Sequence, residues 1–537
     1  MPCFPQSEKA GWGLGHPLGG ILKQHRWFIN LLVFFSGFVT LGAELTASRL
    51  LAPYFGTSLP VWSSLIGLIL IALSLGYLLG GRLADRRPHL PVLLWVVVGA
   101  GVLTAMVPLA APLILDLAAS ALVSFQGGLL LGAFVGVLVL LGLPMTLFGM
   151  LTPFAIRLAT HSVADSGRTA GRLFAVSTLG SFLGSLLPSV VLVPLLGTRW
   201  TFFAFGALML LVAALGFALH ARKGGVIAAM CAFLLTALAG TLTGDAAIRK
   251  DPGLIFEGES EYQYVRVIDR KSGWRVLQLN EGLVVHSKYN KNRPLTYGEW
   301  DYFALAPFFN PAPAKPAEAK RWAIIGAGAG TTAKLVLRCF PEATVVGVEL
   351  DPLVVEVGRR FFDADDPRYI PVVSDGRGWL NRTSESFDVI GVDAYQQPYI
   401  PFELTTTEFF SDIRDHLNER GVLAMNISSP PGDDRLVNAL ATTVATVFPS
   451  IFLLDLPDSS MATILVATRQ PSTLKEFGAN QGHMHPLLKH LVRPNRVKIR
   501  TEFAQSTVLT DDTATVERLV DQMVFRQVMR MSGGERP

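Results

Sequence analysis

The sequence predicts a multi-span α-helical membrane domain followed by an α/β domain with a doubly wound parallel sheet, with a small β-hairpin unit leading into the sheet. Three observations predict it. Charged residues make up 16% of the 537 residues, against roughly 25% in an ordinary soluble domain. The deficit is concentrated in residues 28–243, where apolar runs recur at the length of a bilayer crossing. After Asp251 the pattern changes, first to strand-like alternation and then to strands alternating with helices. The chain therefore holds two domains of different solvent class.

Residues 1–27 form a cytoplasmic N-terminal segment and residues 28–245 the transmembrane domain. A spanning helix needs about 20 apolar residues. Seven runs qualify, at 28–48, 62–81, 91–111, 128–150, 172–196, 201–219 and 225–243. The fifth carries Gly180 and Gly184 among Ser177, Ser181 and Ser185, a small-residue spacing that lets helices approach closely. Lys and Arg favour cytoplasmic loops. Lys9, Lys23, Arg26, Arg82, Arg86, Arg87, Arg157, Arg168, Arg172, Arg222 and Lys223 fall on one side, and Arg49, Arg199, Arg249 and Lys250 on the other. This predicts a multi-pass protein of a bacterial-type cytoplasmic (inner) membrane with its N-terminus inside. Seven spans put the C-terminal domain outside. An eighth span at 108–125 would put it inside, but at the cost of burying Asp116 in the bilayer. Glu44 lies near the end of the first span, five residues before Arg49. At that depth it either reaches the interface, pairs with Arg49 or serves a substrate.

Other classes fit poorly. The net charge of +4 and the lack of a basic-aromatic array argue against nucleic acid. Cys3, Cys231 and Cys339 are scattered without a CxxC, so neither a disulfide framework nor a metal cluster is expected. His483, His485 and His490 lack convincing ligand spacing. No metal is expected.

The small β unit occupies 252–308, where "YQYVRVIDR" and "WRVLQLNEG" alternate around "KSG". The Pro/Ala-rich "FNPAPAKPAEAK" connects it to residues 320–475, where strands and helices alternate as in a Rossmann-like sheet. Residues 476–537 are a basic tail, and "TATVERLVDQMVFRQVM" within it reads as an amphipathic helix. In "AIIGAGAGTTAKLV", Gly326, Gly328 and Gly330 follow the first strand, and Glu349 ends the second, 19 residues after Gly330. The spacing GxGxG disfavours a dinucleotide, which calls for GxGxxG. Asp375, with Gly376 after it, and Asp393 end two further strands. Ligands of open α/β sheets bind at the carboxyl ends of strands. Three acids converging there suit an adenosine ligand that carries a sulfonium cation.

The motifs "LQLNEGLVVHS", "TYGEWDYFALAPFF", "IIGAGAG", "VVGVELD", "VVSDGRGWL", "FDVIGVDAY" and "LTTTEFF", in this order, resemble the spermidine synthase (polyamine aminopropyltransferase) family. With the apolar half included, the chain is similar to the membrane-fused spermidine-synthase-like proteins. The resemblance implies a class I methyltransferase/spermidine synthase-type fold and, as substrate, S-adenosylmethionine or its decarboxylated form. It assigns Glu349 to the ribose, Asp375 to the adenine edge, and Gly326, Gly328 and Gly330 to the methionine-derived part. It makes Asp393 the acid that accepts or orients the proton of the attacking amine. Tyr297 and Glu299 stand in a family segment beside the reaction, and His286 and Ser287 fall beside a nucleoside contact.

The chain also departs from the family. The loop Gly-Gly-Gly-Asp-Gly has Ala329 in place of its Asp, and Gln396 replaces a second acid after Asp393. A diamine carries two positive charges and wants several carboxylates. Tyr395, Gln396, Tyr399 and Glu403 are the remaining candidates for holding an acceptor. Putrescine is therefore not assumed. Aminopropyl transfer, methyl transfer and cleavage of S-adenosylmethionine to methylthioadenosine all stay open, as does a non-enzymatic transporter or sensor. Expected partners are the lipid bilayer and a small-molecule amine or none; a homodimer is one option.

Overall fold

The computed structural model describes residues 26–56, 59–122, 128–160, 162–249, 251–282, 284–395, 399–430, 432–457, 461–493, 496–513, 515–520 and 522–523. They fall into two compact units. One holds the described parts of Met1–Ala47, Leu65–Ala111 and Val137–Ala246, the other those of Ser48–Ser64, Pro112–Gly136 and Ala247–Pro537.

The first unit is helical. Helices α1 (Arg26–Phe55), α2 (Leu59–Arg86), α3 (Leu90–Leu122), α4 (Gly128–Ala159), α5 (Ser166–Leu187), α6 (Val193–Leu219) and α7 (Lys223–Thr243) run through it and into segments of the second. Among the described residues, six helical stretches are long and apolar enough to cross a membrane, one of them the 57-residue Val163–Leu219. That stretch is not one rod. Gly197 breaks it at φ 80°, ψ 163°, a conformation only glycine adopts readily. Gly180 and Gly184 lie against the backbone of Phe34 and Phe38 in α1, so α5 runs parallel to α1. Phe205 packs on Phe38 and Gly216 on Phe28, so α6 runs the opposite way. The chain reverses between them. Gly37, Gly180 and Gly184 are the small residues that permit this backbone approach.

The second unit carries two sheets. Strands β1 (Leu254–Glu259), β2 (Tyr264–Asp269), β3 (Arg275–Leu279) and β4 (Val285–Tyr289) form an antiparallel meander in chain order. The short helix α8 (Glu299–Tyr302) follows. The main sheet alternates β5 (Arg321–Ile325), α9 (Thr331–Cys339), β6 (Thr344–Glu349), α10 (Pro352–Phe361), β7 (Tyr369–Val373), α11 (Gly376–Leu380), β8 (Phe387–Val392), α12 (Thr407–Asp415) and β9 (Leu417–Ser428). It continues with α13 (Arg435–Ala445), β10 (Ser450–Asp455), β11 (Ala462–Thr468), α14 (Leu474–Asn480), α15 (Pro486–Lys489) and β12 (Lys498–Arg500). The spatial order is β12-β10-β11-β9-β8-β5-β6-β7. Strands β5 to β9 are parallel, and β10, β11 and β12 add antiparallel.

Central strand β5 is apolar and buried from Trp322 to Ile325 because helices cover both faces. Trp322, Ile324 and Val345 pack on one side with Phe308 and Phe340, and Ala323, Ile325 and Val392 on the other with Phe409 and Leu440. The segment read as a basic tail contributes β12 to the sheet and buries Met484, Leu488 and Leu491 in the first of these layers.

Candidate active site

Strand order reverses between β5 and β8: the chain winds outward from β5 through β6 to β7, and from β8 to β9 on the other side. A crevice opens at such a switch point, beyond the carboxyl ends of the strands. Gly326 leaves β5 and Asp393 leaves β8, and the Asp393 amide donates to Ile325 O at 2.8 Å. Gly326 has φ +81°, and a Cβ there would come within 2.5 Å of Asp393 O. The two strand ends thus touch backbone to backbone.

A cavity of about 240 Å³ occupies this place. Gly326, Gly328, Glu349, Asp375, Gly376, Asp393, Tyr395, Glu403 and His286 all line it. Five acidic residues line it, Glu349, Asp351, Asp375, Asp393 and Glu403, and among the described residues no Lys or Arg does. Glu349 accepts from the Gly328 amide at 2.9 Å and the Asp351 amide at 3.2 Å, so it braces the glycine loop. Burial raises its pKa against those hydrogen bonds. Asp375 caps α11, accepting from the Gly378 amide at 2.6 Å, and stays exposed at the rim.

Asp393 is the most perturbed of these acids. Burial first, then the nearby charge of Glu299, push its carboxyl well above the ordinary range; a hydrogen bond from Asn426 pulls the other way, and Glu349 adds to the rise. Tyr395 is pinned beside it. Its hydroxyl donates to Asn426 O at 3.1 Å and accepts from the Ser428 amide at 2.7 Å.

Other sequence candidates lie around the cavity and not in its wall. Ser287 is buried and accepts from the Ala329 amide at 2.9 Å, fixing the loop from behind. Gly330, at φ +83°, is the residue that precedes and caps α9. Glu299 does not line the cavity, yet its charge reaches Asp393; its own carboxyl is pushed up to about 7 by burial. Tyr297 is 46% exposed, with the Arg496 guanidinium 4.5 Å over its ring. Tyr399 packs beside the apolar layer behind Ile325. Gln396 is outside the described residues. Ala329 is 1% exposed and packs with Val354 and Val357 of α10, not into the cavity.

Sequence reasoning missed Asn426 and Asp351. Asp351 is fully buried, caps α10 through the Leu353 amide at 2.9 Å, and accepts from Ser260 Oγ at 2.7 Å and Gln263 Nε2 at 3.1 Å. It ties the meander to the cavity wall. Its position in "VELDP", an Asp before Pro at a helix start, was the available signal.

The geometry suits a cation. Carboxylates in a half-buried cleft attract positive charge more strongly than in water, and a raised carboxyl is a better proton acceptor than an ordinary one.

A family pattern described as the spermine/spermidine synthase domain matches residues 310–472. A probable polyamine aminopropyl transferase of Bifidobacterium longum is 30% identical over 346 residues, covering 59% of this chain and 75% of that protein. A polyamine aminopropyltransferase of Mycobacterium tuberculosis is 28% identical over 436 residues, covering 75% of this chain and 78% of its own. Among solved structures, a spermidine synthase in complex with the transition-state analogue AdoDATO is 24% identical and covers 50% of this chain and 87% of that chain, with a TM-score of 0.34.

Proposed function

The chain belongs to the spermidine synthase (polyamine aminopropyltransferase) family, and from that premise we propose that it is an integral membrane aminopropyltransferase acting on an adenosyl sulfonium donor. The observation that carries the proposal is the lining of the cavity: five acidic residues, one of them (Asp351) tied down behind the wall, and, among the described residues, no Lys or Arg. Decarboxylated S-adenosylmethionine presents a sulfonium and an ammonium to such a wall. S-adenosylmethionine itself adds a carboxylate, which five acids repel.

In this reading Glu349 takes the ribose hydroxyls and Asp375 the adenine edge, while Gly326 and Gly328 admit the methionine-derived chain. The acceptor amine attacks the carbon beside sulfur. A new C–N bond forms, the C–S bond breaks, and its electron pair returns to sulfur, leaving neutral methylthioadenosine. The attacking amine must shed a proton before or during the attack. Asp393 takes it. Its raised pKa makes the proton transfer less uphill than an ordinary carboxylate would.

The acceptor is a small amine that need not be putrescine. Ala329 stands where the family has an acid, and it packs against α10. That wall offers no carboxylate for a second ammonium. The same feature favours a second reading, cleavage of S-adenosylmethionine without an acceptor, because the pocket then needs only to hold the sulfonium in a reactive geometry.

The apolar helices support a multi-pass protein of a bacterial-type cytoplasmic membrane, with the bilayer as partner. A small amine, or none, would be the second partner.

The test incubates purified protein with each donor, with and without a panel of mono- and diamines, and measures methylthioadenosine. Release that needs both decarboxylated donor and an amine supports the transferase. Release from S-adenosylmethionine alone supports the lyase. S-adenosylhomocysteine would point to methyl transfer, and donor binding without any product would overturn an enzymatic role.

A further inference from the structure

A second cavity of about 580 Å³ lies between the loop after β4, helix α9 and the loop from α10 to β7. It shares no lining residue with the carboxylate cavity, and its charge is opposite. Lys288, Lys291 and Arg293 come from one wall, Lys334 and Arg338 from successive turns of α9, and Arg368 from the third.

Three acids also line it, but two are occupied. Asp366 holds Arg368 at 2.7 Å. Asp363 faces Lys334 at 3.6 Å and accepts from the Tyr289 hydroxyl at 3.2 Å. Lys291, Arg293 and Arg338 are left with Asp365 as the one lining carboxylate not in these pairs, while Lys288 also donates to Thr296 O at 3.1 Å and has the charges of Asp301 and Glu299 behind it. The rings beneath them add to the crowding. Lys288 Nζ is 4.4 Å and the Arg293 guanidinium 5.8 Å from the Trp274 ring centroid, so one indole gathers two cations. Lys334 Nζ sits 4.4 Å over Tyr289. Burial lowers the pKa of both Lys288 and Lys334. Clustered cations repel, and a multivalent anion relieves that repulsion while gaining several charge-assisted hydrogen bonds.

We propose that this cavity binds a small phosphate-bearing anion, separately from the carboxylate cavity. The recognising groups are the ammonium and guanidinium heads of Lys288, Lys291, Arg293 and Arg338. The chemistry is shared by a free polyphosphate and a phospholipid headgroup. The inference stands whether or not the aminopropyl reading holds, since no residue is common to the two cavities.

The test is calorimetric titration of the full chain in detergent with inorganic pyrophosphate, at ionic strength held constant with chloride. A parallel arm uses a short-chain phosphatidate below its micelle concentration. A saturable isotherm is expected in at least one arm. Response to pyrophosphate identifies a free anion as ligand, and response to phosphatidate alone identifies a headgroup. The double variant Lys291→Glu/Arg338→Glu changes two exposed side chains, and its melting temperature without anion should match the parent. It is expected to weaken binding at least about 10-fold, while Arg338→Lys retains most of it. No saturable heat in either arm, or equal affinity in the double variant, would overturn the site.

Discussion

Asn426 donates from Nδ2 to Asp393 Oδ1 across 2.8 Å. Strands β8 and β9 are parallel with Val392 opposite Met425, so the next residue on each strand falls side by side at the end of the sheet. Asn426 therefore sets both the orientation and the proton affinity of the proposed base. Its hydrogen bond favours the carboxylate and opposes the burial that raises it. In Asn426→Ala that opposition is lost, so Asp393 titrates at still higher pH. The acid limb of the pH–rate profile should move to more alkaline pH. The rate at neutral pH should fall about 10-fold, the worth of a hydrogen bond to a charged group. An unshifted limb would show that Asn426 only fills space.

Asp393 itself offers two independent readouts. The base works ionised, so activity should rise with pH through its raised pKa. Glu299→Gln removes a repelling neighbour and should move that rise to lower pH. Asp393→Asn should lose about 10²–10⁴ in kcat while methylthioadenosine still binds. The second readout is stability. A carboxyl whose pKa is higher folded than unfolded holds its proton more tightly in the folded chain. Stability is then lost as pH rises above the unfolded value. Asp393→Asn should thus melt a few degrees higher than the parent at pH 8 and close to it at pH 4. Full activity in this variant would remove the base.

Much of this site was legible because the parallel sheet was. Once strands and helices alternate, strand ends are where ligands bind, and Glu349, Asp375 and Asp393 were found as acids at those ends. Asn426 was not, because it lies inside the run "GVLAMNIS", which reads as one buried strand. Only the β8–β9 register brings it beside Asp393. Asp351 was hidden for another reason: its partners Ser260 and Gln263 are about ninety residues away in sequence. Residues 498–500 fell within the segment read as a basic tail, yet they pair with β10 as β12, and Arg500 is pinned to Asp455 at 2.7 Å. Charge pattern reports solvent exposure and is silent on pairing at a sheet edge.

Gly326 tests the contact between the two strand ends. At φ +81° a β-carbon is strained before any clash, and here it would also come within 2.6 Å of Ala394 Cα. Gly326→Ala should cost more than about 1 kcal/mol and reduce donor binding more than it reduces melting temperature, because the displaced segment carries Asp393. Gly478→Ala is the control. It lies in α14, with nothing within 4 Å of a built Cβ, and should be neutral or slightly stabilising.

Arg377 and Asp511 make a two-pronged pair, with both hydrogen bonds at 2.7 Å. Asp511 also accepts from Thr406 Oγ1 at 2.7 Å, and Arg377 donates to Glu403 O at 3.3 Å. A residue of the C-terminal segment thus holds together the walls that carry Gly376 and Glu403. The hydrogen bond from Arg377, helped by Thr406, outweighs burial and keeps the Asp511 carboxyl below its ordinary range. With a lowered folded pKa, its contribution is present above the unfolded value and lost as pH falls through the folded one. The pair is partly exposed, so Asp511→Ala should cost about 1 kcal/mol near neutrality. The donor KM should rise with little change in kcat. A double-mutant cycle with Arg377→Ala that gives no coupling would show the pair to be incidental.

We propose a side of the membrane for the C-terminal domain from two contacts within the second unit. The Tyr54 hydroxyl donates to Ile248 O at 2.7 Å, and Arg249 donates to Pro53 O at 2.7 Å. Tyr54 lies at the end of the first apolar helix and Ile248 follows the last, and the proposal takes their contact to put both on one face, with an even number of crossings between them. Helices α2, α3, α4 and α7 supply four. The reversal at Gly197 makes Val163–Leu219 two more, whereas an unbroken helix would supply one and give an odd total. In the seven-crossing arrangement we propose, residues after 248 lie on the face opposite the N-terminus. Lys and Arg concentrate at the N-terminal side, which the charge bias makes cytoplasmic. A protease added to intact cells is therefore expected to remove a C-terminal tag and to spare an N-terminal one. Protection of the C-terminal tag would sink the seven-crossing arrangement. The substrates of the cavity would then have to be sought in the cytoplasm.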